Sequence, residues 1–552
     1  MFCLNSGGAG CSQDEHCLQD LKPQSRRCGL SLGRNREFLI ASAAIVLSIR
    51  AMMKCALLLR LWILLLLLFV VVGPTLGQDK PNLVFLLTDD QCTSSMGCYG
   101  NPQVKTPHLD GLARDGMVFD CHYVSTAICM ASRVNIMTGK FEFKHGCNFE
   151  RGALHSSHWA ESYPILLKEA GYRTAMAGKI GFEVTTRTGR KGVLPAGDFD
   201  RWGAGPGQTF YQTARNRSMV TYAEKFPHAT RSYGAFGADF IEDSAKAGEP
   251  FCLSISFKAP HKPATPDPLD KRVYAGMSFV KPRNFGREYG LHFAPQSRHG
   301  RQYERFHSWN YSDRYDEVMA TYYQQIYAVD VAVGMIRTAL RKHGVEKNTV
   351  VIFTSDNGFM CGAHGYGSKV LPYEESSRVP LIVYDPRHRN SGRELRSKAL
   401  TGNVDLMPTL LELAGVIVPQ GIDGKSILAL YEDPGAEIRE SLPLINVWGP
   451  PEVFSLSVVT KGHKYIYWPW AGEGFKATEE LYDTGADPLE LNNLVASPAG
   501  GEHLAQMRRH YGAYLDLWRR EAVAYHDYKS LARFFDRELT WDSRKDVSGI
   551  RK

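Results

Sequence analysis

Short unbroken runs of apolar residues recur along the chain, and each ends in carboxylates, glycine or proline. Leu83-Val84-Phe85-Leu86-Leu87 follows Pro81-Asn82 and leads through Thr88 into Asp89-Asp90. Val350-Val351-Ile352-Phe353 leads into Asp356-Asn357-Gly358, and the run from Phe251 to Phe257 leads into Pro260-His261. Runs of this length without polar alternation predict strands buried on both faces, as in a parallel sheet. Between them the apolar spacing lengthens to three and four. Tyr163 to Ala170 reads as a helix closed by Gly171, followed by a strand ending at Gly178-Lys179. Residues 317–343 read as a long helix. From about Leu442 the texture shifts to shorter β segments, at 455–459 and 464–467, with a helix expected over 502–524. The pattern predicts an α/β chain with a smaller β-rich part behind it.

A length of 552 residues suits one large α/β domain plus a smaller one, and 44% hydrophobic with 22% charged residues is globular rather than disordered. One stretch departs from the pattern. Residues 272–316 carry eight Arg/Lys, four Asp/Glu, three His and ten aromatics with little periodicity, so an irregular, functional or mobile insertion is expected. At the other end, residues 61–72 are twelve consecutive apolar residues after Lys54 and Arg60, and Gly73-Pro74-Thr75-Leu76-Gly77 follows. This predicts a secretory signal peptide rather than an anchor, which needs about 20 apolar residues. Export to the periplasm or medium is expected, with cleavage near Gly77 and no membrane span left. Residues 1–51 read as an upstream extension or a segment lost with the signal. The formal charge of +7 loses its meaning once residues 1–77 are removed. They hold eight Lys/Arg and four Asp/Glu, leaving 57 against 54, or +3, which makes no case for nucleic acid. Seven cysteines then remain, at 92, 98, 121, 129, 147, 252 and 361; some could pair, and no C-x-x-C zinc signature is present.

Candidate chemistry gathers at the strand ends. Ligands in open α/β sheets collect beyond the carboxyl ends of strands. Asp89-Asp90 there is either a solvated turn or, since two such carboxylates repel, half of a cation site. With Asp356 and Asn357 they would form a hard oxygen cage that suits Ca²⁺ or Mg²⁺. In Cys129-Met130-Ala131-Ser132-Arg133 a helix would place Cys129, Ser132 and Arg133 on one face, so that Arg133 could stabilise an anion at residue 129. Alone, the pentapeptide reads as a buried cysteine beside a chance arginine. His155 and His158 lack neighbouring carboxylates and read as exposed loop residues.

These motifs together resemble the type I sulfatases. Cys129 to Arg133 matches that family's C-x-[PA]-S-R signature, whose cysteine is oxidised to formylglycine, and Thr138-Gly139 matches its tail. The resemblance spans about residues 81–494. It implies an alkaline phosphatase-like fold, a large mixed sheet sandwiched by helices, with a catalytic domain at 78–440 and a C-terminal subdomain at 441–552 made of a small antiparallel sheet and a terminal helix. It also implies a sulfuric ester hydrolase that uses a formylglycine hydrate at 129 and a cation on Asp89, Asp90, residue 129, Asp356 and Asn357. Arg133, Lys179 and Lys369 would bind the sulfate, and His261, in Pro260-His261-Lys262-Pro263, would protonate the leaving group. A formylglycine-generating partner enzyme is implied as well. The chain departs from the family at Gly181, where a histidine normally follows Gly-Lys; Glu183 or a nearby histidine is the expected substitute. The composition of 272–316 points to a sulfated carbohydrate substrate. Two rival readings remain: a phosphonate or phosphate monoester hydrolase of the same superfamily, or a non-catalytic sulfated-glycan-binding protein.

Overall fold

The computed structural model describes residues 80–186 and 192–547, besides Met52, Met53 and Arg60. The expected signal peptide at 61–72 lies outside the described residues. Among the described residues no helix is long and apolar enough to cross a membrane.

The main sheet has eight strands: β1 (Asn82–Asp89), β2 (Met117–Phe119), β3 (Arg173–Lys179), β4 (Arg201–Gly205), β5 (Phe251–Pro260), β6 (Thr349–Ser355), β7 (Leu381–Tyr384) and β8 (Leu395–Ser397). Their order is β8-β2-β7-β6-β1-β5-β3-β4. Strand β1 lies at the centre, parallel to both β5 and β6, while β7 runs antiparallel to β6 and β2 and makes the sheet mixed. The helices used below are α1 (Pro107–Asp115), α2 (Cys129–Thr138), α3 (Tyr163–Glu169), α4 (Ala229–Ala247), α5 (Tyr315–Lys342) and α6 (Leu406–Leu413).

Alternation along β1 explains why its whole run is apolar. Leu83, Phe85 and Leu87 pack with Met137 of α2, Leu167 of α3 and Leu410 of α6. Val84 and Leu86 point the other way, into a core with Leu109 of α1, Phe236 of α4 and Val329 of α5. Both faces are therefore covered by helices, and a strand with one polar face would leave unpaired polar groups in one of those cores.

Register then decides where the chemistry goes. Thr88 pairs with Ser355, so Asp89-Asp90 and Asp356-Asn357 emerge side by side. On the other flank a β-bulge between Leu87 and Asp89 sets Asp89 opposite Pro260, one residue before His261. Gly178 of β3 pairs with Ser256 of β5, which brings Lys179 to the same edge.

Residues 272–316 are more ordered than their composition predicts. They form 3₁₀ turns at Arg287–Gly290 and Pro295–His299 and an α-helix at Arg301–Ser308. Tyr274, Phe279, Phe306, Tyr311 and Tyr315 are buried in one aromatic cluster, so most of the aromatics serve packing rather than a cleft. The expected exposed loop around His155 and His158 is also corrected. Both histidines border or lie on a short helix at Ser156–Ala160 and are half-buried, with His158 Nε2 3.1 Å from the Tyr525 hydroxyl.

A second, antiparallel sheet follows, with β9 (Ser441–Asn446), β10 (Ser455–Thr460), β11 (His463–Trp468) and β12 (Thr478–Asp483) in sequential order. Helix α7 (Gly501–Glu521) packs Met507, Tyr511, Leu515 and Trp518 against Leu456, Val458 and Tyr465 of this sheet.

Candidate active site

Cys129 is the first residue of α2, after Ile128 in an extended conformation. The open N–H groups and the positive end of the helix dipole favour an anion at that position. The thiol is buried, 3.3 Å from Asp89 Oδ1 and 2.7 Å from Lys369 Nζ. Burial and the charge of Asp89 push the thiol up to about 12, so the unmodified cysteine is no thiolate nucleophile here.

Three buried cations pair with three buried carboxylates around it. Lys179 Nζ lies 2.5 Å from Asp89 Oδ2, Arg133 Nε 2.8 Å from Asp356 Oδ2, and Lys369 Nζ binds Asp90 Oδ1. Asp89 is pushed up by burial, but Lys179, His261, Lys369 and Arg133 together hold it well below the usual carboxylate range. Burial wins at its neighbours: Asp90 is raised despite Lys369, and Asp356 is raised by burial and by Asp89. Charge is thus divided unequally across one small oxygen cluster.

The predicted ligands converge. Asp89, Asp90 and Cys129, together with His261, the residue expected as general acid, each bring one donor atom within 4.8 Å of the others. Asp356 Oδ1 accepts from Asp90 N at 3.2 Å, and Asn357 Nδ2 donates to Asp90 Oδ1 at 2.8 Å. Asn357 Oδ1 is buried with no hydrogen-bond partner. An orphaned amide oxygen beside three carboxylates is the donor set a hard divalent cation takes, so these residues fit Ca²⁺ or Mg²⁺. His261 Nε2 stands 3.8 Å from Asp90 Oδ2, and burial pushes the ring down to about 3.

Gly181 explains the missing histidine. Its φ is +87°, and a Cβ there would lie 2.6 Å from Arg133 Cδ. Arg133 runs through that space to reach Asp356, and its Nη1 donates to Lys179 O at 2.5 Å and to Ser256 Oγ. The expected substitute Glu183 is exposed, so it does not replace the histidine. His364 bonds Asn284 and the carbonyl of Tyr289. Ser132, on the predicted helical face, is turned to Asn403. Sequence reasoning missed Ser256 and also Tyr322, whose hydroxyl donates to Asp90 O at 2.7 Å from α5. Neither lies in a motif, and only the tertiary fold brings them in.

A mixed sheet that gathers carboxylates, cations and a helix-borne reactive residue at its strand ends is the arrangement of alkaline phosphatase-like hydrolases. Known proteins narrow the class. The sequence profile described as Sulfatase matches residues 81–416, and that described as N-sulphoglucosamine sulphohydrolase, C-terminal, matches 362–514. The N-acetylglucosamine-6-O-sulfatase of Bacteroides thetaiotaomicron is 29% identical over 486 residues, covering 75% of this chain and 82% of its own. Among solved structures, BT4656 in complex with its substrate D-glucosamine-2-N,6-O-disulfate superposes with a TM-score of 0.63 at 24% identity, over 79% of this chain and 98% of its own. The phosphonate monoester hydrolase of Agrobacterium radiobacter gives 0.59 at 21%, over 78% and 96%. The chain belongs to the formylglycine-dependent, alkaline phosphatase-like sulfatase family and is a sulfuric ester hydrolase.

Proposed function

We propose that the chain hydrolyses sulfate esters of a carbohydrate through a formylglycine made from Cys129. One observation carries this reading: residue 129 sits at a helix N-terminus between Asp89 and Lys369, with Arg133 and Lys179 directly behind. The Sγ atom stands in for the oxygens of the hydrated aldehyde. Asp89, Asp90, Asp356 and Asn357 would hold the cation together with residue 129; when bound, it supplies positive charge opposite the sulfate oxygens. The three lysine and arginine charges balance the three aspartates, so a divalent cation leaves the cluster positive and ready for an anionic ester.

One diol hydroxyl gives its proton to a carboxylate of the cluster as its oxygen attacks sulfur, and the S–O bond to the sugar breaks. His261 donates to the departing sugar oxygen, helped by the incoming negative ester, which opposes the burial that keeps the ring neutral. Lys179, Lys369 and Arg133 stabilise the sulfate oxygens as charge grows on them. The second hydroxyl then loses its proton, the C=O bond re-forms, and the C–O bond to sulfate breaks. Water rehydrates the aldehyde. A maturation enzyme would supply the oxidation, residues 78–440 would be the catalytic domain with 441–552 as its subdomain, and residues 61–72 would direct export. The sugar preference is supported by a relative named for N-acetylglucosamine-6-O-sulfate and a fold neighbour bound to a disulfated glucosamine.

The test is mass spectrometry of the peptide ending at Arg133 from protein made in a formylglycine-generating host, alongside assays on aryl sulfate and aryl phosphate. Formylglycine and a strong sulfate preference are expected. Unmodified cysteine in fully active protein would overturn the mechanism, and a phosphate preference would favour the phosphonate-hydrolase alternative.

A further inference from the structure

Beside His261 stand two cations that form no ion pair among the described residues. Lys262 follows His261 directly, and its Nζ lies 4.9 Å from the centre of the Trp309 ring and 5.0 Å from that of Tyr311. The guanidinium of Arg305 stacks on the same indole at 4.2 Å, and Nη1 donates to Ser368 Oγ at 2.7 Å, one residue before Lys369. Both side chains are half-buried, and among the described residues neither forms an ion pair. The other arginine of this rim, Arg314, is already bound to Glu317. A cavity of about 500 Å³ opens beside Lys262, lined by Pro260, Lys262, Trp309, Asn310, Arg314 and Glu317, and Arg305 meets it through the Trp309 ring that the two cations share.

Two like charges on one half-buried ring repel each other, and among the described residues neither has a carboxylate at ion-pair distance; Asp90 eases Arg305 only from farther off. Keeping them charged there carries a cost, chiefly of burial: burial, with Arg305 adding to it, pushes Lys262 down to about 8, and burial with Arg301 pushes Arg305 down to about 10 against the opposing charge of Asp90. Anion binding removes that cost. Their attachment points flank the reactive group on two sides, through His261 and through Lys369, so an anion held by them belongs to the molecule whose ester is being cleaved.

We propose that Lys262 and Arg305, braced by Trp309, form a second anion subsite, and that the substrate is a saccharide with at least two anionic groups, one cleaved and one held. This rests on the sulfated-carbohydrate reading above. The held group is a sulfate or a carboxylate on the same or the adjoining sugar; both offer the oxygens a guanidinium and an ammonium take.

The experiment uses the matured, cation-loaded enzyme with four substrates: an aryl sulfate, a monosulfated hexosamine, a disulfated hexosamine, and a sulfated disaccharide carrying a uronate. Lys262→Met and Arg305→Gln are each expected to lower kcat/KM on a doubly charged saccharide about tenfold or more, with losses on the singly charged substrates within about threefold. Arg305→Lys, which keeps the charge, should retain most of the preference and guards against a folding defect. A loss confined to the disulfated sugar assigns the held group as sulfate, and one confined to the disaccharide assigns it as carboxylate. Equal losses on all four substrates, or none, would overturn the subsite while leaving the carbohydrate reading intact. Turnover of the aryl sulfate alone would overturn both. Calorimetry with Cys129→Ala protein reads the same subsite without turnover: Arg305→Gln in that background should weaken binding of the disulfated hexosamine about tenfold.

Discussion

A single methyl group at position 181 tests how tightly the cation network is built. Gly181→Ala would force a Cβ against Arg133 Cδ and place a non-glycine residue at φ +87°. Backbone strain of this kind costs about 1–3 kcal/mol. Displacing Arg133 from Asp356 should lower kcat roughly a hundredfold, since misplacements near 1 Å cost about that much. Steady-state kinetics with a thermal melt reads both; unchanged kcat would mean that Arg133 does not depend on this gap. Asp356→Ala attacks the same network from the other side. It leaves the buried Arg133 without its closest carboxylate, for which about 3–5 kcal/mol is typical, and should lose bound cation and activity together. Elemental analysis of the purified variant gives the answer, and full cation content would remove Asp356 from the site. At this scale the sequence announced the departure at 181 but not its reason, because the space depends on how an arginine on one helix crosses a glycine just past a strand end, 48 positions away in the chain.

Between elements, the interface of β12 with the 272–316 segment is joined through Glu480. This buried carboxylate accepts from Ala294 N and from the hydroxyls of Tyr373 and Tyr482. Burial still pushes it from the ordinary 4.5 up to about 7. A carboxyl that binds its proton more tightly folded than unfolded loses stability as pH rises from about 4.5 to 7, and the loss is complete above that window. Glu480→Gln, which cannot ionise, should therefore melt with a weaker pH dependence than wild type between pH 5 and pH 8, measured by calorimetry at several pH values. Parallel slopes for the two proteins would contradict the burial argument. The strands and long helices here were legible in the chain because an unbroken apolar run or a 3.6-residue period is a local signal. The Arg301–Ser308 helix and the buried aromatics around it were not. Their apolar positions face a cluster contributed by α5 and the Phe359–Cys361 loop, which no local window contains.

For the whole molecule, sheet register turns separated motifs into one site. Asp89, Lys179, His261 and Asp356 belong to strand ends far apart in the chain, yet the pairing of Thr88 with Ser355 and of Gly178 with Ser256 brings them together. Sequence marked Asp89 and Asp356 because each follows a buried strand, and it named Lys179 and His261 by resemblance to the sulfatases; the order of the strands it did not give. The central claim is that residue 129 attacks sulfur and then needs a second hydroxyl to release it. Cys129→Ser supplies one hydroxyl and no more. Incubated with substrate and digested, this variant should yield a residue-129 peptide heavier by one SO₃ group and no continuing turnover. An unmodified serine peptide in protein that still releases sulfate catalytically would contradict the account.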